Sequence, residues 1–448
     1  MRKRTVADAI TPPLASVLGS PLPLRIRFWD GSQIGPEEAP ACVTLRSPRA
    51  LRHMIWAPGE LGLARAYVAG DIDLMEGTPW DLLAVRDTLV HPHEHYRPGF
   101  GLRATLDLAR ALGRDLIGPP PRPPEVEARP RGRLHSPVRD RQAITHHYDV
   151  SNAFYRLLLG PTMTYSCAYW AEPGAGLDVA QEAKYELICR KLNLQPGQRL
   201  LDVGCGWGGM VMHAARHHGV RAVGVTISTE QHDLAKLRVR DAGLEDRVEI
   251  RLQDYRELGD EAFDAISSVG MFEHVGARRM ATYMEQLAGH LHLGGRLLNH
   301  AISRPSGPSG IARNSFIARY VFPDGELLEV GRVVSAMQNA GLEVRDVESL
   351  REHYALTLRA WSDNLEQSWP AAVAAVGEAR ARVWRLYIPA CAVAFEDARI
   401  SIHQVLAVKT QDRVPTRMPL DRRVLLGNGP LATQADVVLA AAGSAPTL

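Results

Sequence analysis

The residues best suited to chemistry sit in Leu201-Asp202-Val203-Gly204-Cys205-Gly206-Trp207-Gly208-Gly209. An acid stands two residues ahead of three glycines at alternate positions. Leu200, Leu201 and Val203 read as a short buried strand, and the stretch from Trp207 to about His218 reads as a helix. Glycine lets the backbone turn sharply and approach a ligand with no Cβ in the way. The helix that follows would aim its positive N-terminal end at that ligand. The spacing is G-x-G-x-G, not the G-x-G-x-x-G of dinucleotide binders. The choice at this point lies between a nucleotide-type site and a structural turn.

Further candidates fall where later strands should end. In an open α/β sheet, ligands bind outside the carboxyl ends of the strands. Strand two delivers Thr226 and Ile227, strand three Asp254 and Tyr255, strand four Glu273, and strand five His300. Asp254 could accept from an adenine amine with Tyr255 beside the ring, or it is a solvated turn acid. Strand two ends without the carboxylate that would bind ribose hydroxyls, and Gln231 is a neutral substitute. Glu273, beside Phe272, is either a desolvated functional carboxylate or a helix-start acid complementing the dipole. His300 is either a functional histidine facing the same crevice or a hydrogen-bonded core residue. His146 and His147 lack a third ligand at helical spacing, so no metal is expected there.

The elements that position these residues follow from the chain as a whole. Its 448 residues suggest roughly two to three domains. With 46% hydrophobic and 23% charged residues the composition is globular, and a net charge of +2 gives no general attraction to nucleic acid. The five cysteines are scattered, with no C-x-x-C, which argues against a disulfide framework or a zinc site and fits a reducing compartment. Pro12 and Pro13 interrupt any signal-like core, and no apolar run approaches the roughly 18 residues of a membrane span. The expectation is a cytoplasmic protein.

Residues 1–117 read as a small α+β domain. Its strand candidates are Leu24–Phe28, Cys42–Leu45 and His53–Trp56, with a helix over Leu61–Val68 and an amphipathic helix over Leu102–Ile117. Residues 118–142, rich in proline and arginine, read as a linker. Residues 143–427 alternate strands and helices in the doubly wound pattern. A helix from Arg278 to Leu291 is expected to end at Gly294-Gly295, and two helices over 355–397 to break at Trp369-Pro370. An antiparallel strand is expected over Ile400–Val408, and residues 428–448 read as a mobile tail.

From about His146 to Thr410 the chain resembles the cyclopropane-fatty-acyl-phospholipid synthases and the related mycolic acid cyclopropane synthases. The matching blocks include His147-Tyr-Asp-Val, Tyr165-Ser-Cys-Ala-Tyr-Trp170, the glycine turn, Gly224-Val-Thr-Ile-Ser228, Gln253-Asp-Tyr-Arg256, Ser268-Val-Gly-Met-Phe-Glu-His-Val-Gly276, His300, Tyr320–Pro323 and Trp361. The resemblance implies an α/β fold: a class I S-adenosylmethionine (SAM) methyltransferase, Rossmann-like domain, behind a smaller N-terminal α+β lipid-associated domain. It places cofactor contacts at Tyr165, Ser166, Asp202, Gly204, Gly206, Gly208, Thr226, Ile227, Gln231, Asp254 and Tyr255. It implies attack of a cis double bond in a phospholipid acyl chain on the SAM methyl, then ring closure to a cyclopropane. The implied base is bicarbonate, held by Cys167, Glu273, His300, Ile302 through its backbone, and Tyr354. The implied partner is membrane phospholipid with an unsaturated acyl chain, met peripherally at the inner face of the membrane; homodimerisation stays open. A relative that loses a different proton would leave a methylene branch, or with a separate reductase a methyl branch. A non-catalytic lipid-binding protein would lack the glycines or Glu273, and both are present. A small-molecule methyltransferase fits the aromatic lead-in poorly.

Overall fold

A computed structural model describes residues 5–18, 22–83, 118–128, 151–307, 311–312, 314–323, 325–410, 416 and 418–426. The expected helix over Leu102–Ile117, the end of the linker, His146, His147 and the tail lie outside them. The chain divides into two compact units. One gathers residues 1–130, 312–323 and 365–393, and the other holds 131–311, 324–364 and 394–448. Neither unit is continuous in sequence, unlike the linear division that composition suggests.

The first unit carries α1 (Val6–Leu18), β1 (Arg25–Arg27), β2 (Gln33–Ile34), β3 (Cys42–Leu45), α2 (Arg49–Trp56), α3 (Glu60–Val68) and β4 (Ile72–Glu76). Its four strands pair in the order β2-β1-β3-β4 over a core that includes Ile10, Phe28, Leu51 and Ile72. His53–Trp56, expected as a strand, ends helix α2. Pro48 starts that helix, and Ala50, Leu51 and His53 turn inward together.

The second unit opens with α4 (Asn152–Leu159) and α5 (Leu177–Leu192), followed by β5 (Arg199–Val203), α6 (Gly209–His218), β6 (Arg221–Thr226), α7 (Thr229–Asp241) and β7 (Val248–Leu252). Next come β8 (Phe263–Val269), α8 (Met280–Gly289), β9 (Leu291–Ser303), α9 (Phe316–Tyr320, in the first unit), α10 (Val330–Asn339) and β10 (Leu342–Ser349). The chain then runs through α11 (Arg351–Gln367), α12 (Trp369–Val376), α13 (Glu378–Glu396), β11 (Ser401–Lys409) and α14 (Arg422–Leu425). The seven-stranded sheet runs β10-β11-β9-β8-β5-β6-β7. The expected late strand, β11, lies antiparallel to both neighbours, and the other pairings are parallel. The strand order reverses between β5 and β8, the position where doubly wound sheets open a ligand crevice. Successive residues alternate between the faces: Leu200 and Ala222 pack under α5, α6 and α7, whereas Leu201 and Val223 pack with α8 and α10.

Two expectations change here. Gly294 and Gly295 do not end a helix; α8 stops at Gly289 and both glycines lie inside β9. A Cβ on Gly295 would come within 2.9 Å of the Asp264 carbonyl, so glycine serves the irregular register where β8 meets β9. Residues 351–396 form three helices, with Pro370 in the first turn of α12 and Gly377, at φ +78°, making the second break. Among the described residues no helix is long and apolar enough to cross a membrane.

Candidate active site

The glycine turn leaves β5 and enters α6 at the reversal point of the sheet. Gly204 and Gly206 have positive φ (+79° and +53°), which glycine adopts without strain. Gly209 is required for a different reason: a Cβ there would lie 2.1 Å from the Tyr185 hydroxyl. The turn borders an open cleft. Of the expected cofactor residues, Tyr165, Ser166, Asp202, Gly204, Gly206, Thr226, Ile227, Gln231 and Tyr255 line it. Two do not. Gly208 faces Ala235 and Ile250 at the start of α6. The Asp254 carboxylate caps the short helical turn at Tyr255–Glu257 and accepts from the Arg256 backbone at 3.0 Å and its Nε at 2.8 Å. Its neighbour Gln253 takes its place in the lining.

Thr226 donates its hydroxyl to Gln231 Oε1 at 2.9 Å, so the neutral pair at the end of β6 is preorganised. The turn is also braced from outside, since Trp207 donates its indole N–H to Asn152 Oδ1 at 2.8 Å.

Lys184 was not visible as a site residue in the sequence. It lies on α5, its side chain is buried, and its Nζ donates to Ser166 Oγ at 2.9 Å. Burial lowers its pKa to about 7, against the attraction of Cys167 and Asp202. Asp202 accepts from Ser267 Oγ at 2.6 Å, and burial raises its pKa to about 6. The only signal for Lys184 is a lysine in a helix whose neighbouring positions are apolar, a pattern shared with many surface helices.

Glu273 sits in a helical turn just beyond β8. That strand ends at Val269, which pairs with His300. Ile302 lies two residues further along β9, past the end of β8, and its N–H donates instead to Glu273 Oε1 at 2.6 Å. The other carboxylate oxygen, Oε2, is buried and has no partner, and burial raises the Glu273 pKa to about 7. His300 and Ile302 share a face of β9. The fully buried His300 accepts at Nδ1 from Gln404 Nε2 of β11 at 3.1 Å. With the Gln404 amide in this orientation, the His300 proton lies on Nε2, which has no partner. Burial holds the ring neutral, well below the usual histidine pKa. Gln404 is a second positioning residue that the sequence did not mark.

Cys167 is fully buried, and its thiol donates to the Ala168 carbonyl at 3.2 Å and more loosely to Leu350 O at 3.7 Å. Burial pushes its pKa upward, so it stays a thiol and is no nucleophile. Tyr354 is buried in α11 and packs edge-on to Trp361 at 6.0 Å. Thus Glu273 and Ile302 meet directly, whereas Cys167 and His300 are held by different partners. A run of aromatic rings leads from the glycine turn to α11: Trp207 to Tyr155 (4.9 Å), Tyr155 to Tyr165 (5.8 Å), Tyr165 stacked on Trp361 (5.2 Å), and on to Tyr354.

This sheet order, glycine turn and cleft define a class I SAM-dependent methyltransferase. The mycolic acid cyclopropane synthetase family matches residues 135–405, and the chain belongs to it. It is 46% identical over 404 residues to a probable fatty acid methyltransferase of Mycobacterium tuberculosis, covering 89% of this chain and 94% of that one. It is 40% identical over 260 residues to the cyclopropane-fatty-acyl-phospholipid synthase of Escherichia coli, covering 58% and 66% respectively. Among solved structures it is similar to the mycolic acid cyclopropane synthase CmaA1 complexed with SAH and CTAB. The TM-score there is 0.57 and the identity 33%, over 60% of this chain and 98% of that one.

Proposed function

We propose that this methyltransferase adds a methyl carbon to the cis double bond of an unsaturated acyl chain in a phospholipid and closes it to a cyclopropane. The observation that carries the reading is two buried, unpartnered polar atoms on residues next to the cleft lining: Glu273 Oε2, an acceptor, between cleft-lining Met271 and His274, and His300 Nε2–H, a donor, paired in the sheet with cleft-lining Val269. Buried polar atoms rarely stay unpaired. A small anion bearing both an O–H and an acceptor oxygen satisfies both, and bicarbonate has that donor set. When bound, SAM supplies an electrophilic methyl carbon and bicarbonate a base.

The chain's own residues would bind, orient and exclude water. Gln231 and Thr226 present a fixed polar edge to the cofactor's hydroxyls. Lys184, through Ser166, gives the cleft a cation for the carboxylate of its amino-acid end. An alkene needs no base to activate it, but the cation that follows must be kept from water. Tyr165 and Trp207, which line the cleft and are backed by Tyr155 and Trp361, would give it aromatic surface whose π faces favour positive charge. Cys167, held as a thiol, would contribute a neutral pocket surface. The Ile302 N–H fixes the Glu273 carboxyl so that its free oxygen is the one offered to the anion.

A second reading shares the methyl transfer and ends in a methylene branch. The longer matches favour keeping it, since the relatives covering 89% and 87% of this chain are named fatty acid methyltransferases. Lipids extracted from an expressing host distinguish the two. Cyclopropane ring protons by NMR, on phospholipid acyl chains identified by mass spectrometry, are expected. An exomethylene signal without ring protons would install the second reading.

A further inference from the structure

Cysteine spacing predicts no metal site, yet folding gathers a set of metal donors from two helices. Cys189 of α5 and His213 and His218 of α6 each present one ligand atom, all within 4.8 Å of one another. Glu186, one turn before Cys189, places Oε2 2.9 Å from His218 Nε2 and 3.5 Å from His213 Nε2. Its other oxygen is taken by Arg190 Nε at 2.6 Å. Residues three apart share a helix face, so Glu186 and Cys189 point together toward α6. Cys189 is fully buried, and the histidine side chains are only 13% and 18% exposed.

Hydrogen bonding to Glu186 accounts for both histidines but not for the thiol beside them. A thiolate, two imidazoles and a carboxylate make the mixed sulfur, nitrogen and oxygen set that zinc accepts, and the soft sulfur disfavours magnesium and calcium. Tetrahedral zinc, with bonds of about 2.0–2.3 Å, holds its ligand atoms about 3.5 Å apart. The ligand atoms of Cys189, His213 and His218, within 4.8 Å of one another, would draw together by up to roughly 1.3 Å to reach that spacing.

We propose that Glu186, Cys189, His213 and His218 form a structural site for a zinc-type divalent transition metal, pinning α5 to α6. Four protein ligands leave no open position, so the ion would serve no chemistry of its own. Its effect would reach the cleft through Tyr185. That ring packs on His213 at 5.6 Å, and its hydroxyl occupies the space beside Gly209. The ion would thereby stiffen the support of the glycine turn.

The full-length protein, stripped with chelator, is titrated with Zn²⁺ alone and, as a spectroscopic probe, with Co²⁺ alone. One tightly held ion per chain, a rise in melting temperature with Zn²⁺, and a thiolate-to-cobalt charge-transfer band are expected. Cys189→Ser should abolish the band, and His218→Ala should weaken Zn²⁺ binding by at least roughly tenfold. His218→Ala lies nearer the surface and carries the test if the cysteine variant fails to fold. Absence of stoichiometric Zn²⁺ in the wild-type protein would overturn the proposal, as would an unchanged cobalt band in folded Cys189→Ser.

Discussion

Glu273 and Lys184 are buried ionisable groups whose charged forms the fold disfavours. Glu273 titrates near pH 7 in the folded chain and near 4.5 when unfolded. Because the folded pKa is the higher, its contribution to stability is full below pH 4.5 and is lost as pH rises through 7. The difference is on the order of 3 kcal/mol. Glu273→Gln removes that titration, so denaturant melts of the variant should show a shallower loss of stability between pH 4.5 and 7 than wild type. Product formation should fall by about 10²-fold or more while SAM binding, read by calorimetry, persists. Lys184→Met should behave in the opposite sense. Burial disfavours the charged form of Lys184 more than Cys167 and Asp202 favour it, and among the described residues no ion pair within 4 Å is broken by its removal, so the melting temperature should hold or rise. SAM affinity should drop roughly tenfold or more, the worth of a lost charge-assisted hydrogen bond. A variant that binds SAM normally would remove Lys184 from the cofactor's contacts. Glu273 was legible in the sequence because an acid directly after an apolar strand is conspicuous. Lys184 was not, because a lysine in a helix is ordinary until the packing shows which way it points.

The elements that carry the site were legible where their period was clear. β5, β6, β8 and the turn into α6 follow the apolar runs and the glycines. The misplacement at Gly294-Gly295 has a physical cause: two adjacent glycines signal a helix end by conformational freedom, but here they serve close backbone approach in a strand. The same distinction governs Gly209, which needs space and not an unusual φ. Gly209→Ala should destabilise by about 1–3 kcal/mol in urea melts, the usual effect of overpacking. Tyr185→Phe removes the hydroxyl 2.1 Å from the added methyl but leaves the ring carbon at 2.8 Å. The double variant should therefore recover only part of the loss. Full additivity of the two substitutions would show that the tyrosine is not the obstacle. Asp254 illustrates the reverse limit. Its place after β7 was readable, but its capture by Arg256 two residues on is a local side-chain choice that strand patterning does not encode.

At the scale of the molecule, the discontinuous partition has a direct consequence for truncation. Residues 365–393 belong with the N-terminal region, where Arg382 donates to the Tyr67 and Ile72 carbonyls at 3.2 Å. A chain starting at Ser151 would keep α12 and α13 while losing residues 1–130 of the unit to which α12 and most of α13 belong. It should express poorly or aggregate, seen as a void-volume peak in size-exclusion chromatography. A well-behaved monomer would show that those helices need no such support. Composition could locate the proline-rich stretch but not this return of the chain, which depends on contacts hundreds of residues apart. β11 adds a constraint in time. It lies between β9 and β10, and it alone brings Gln404 to His300. During synthesis β9 and β10 must therefore wait, unpaired with each other, until residue 409 clears the ribosome. The surroundings of His300 then acquire their final geometry only after nearly the whole sheet has been made, so the site is completed late in synthesis.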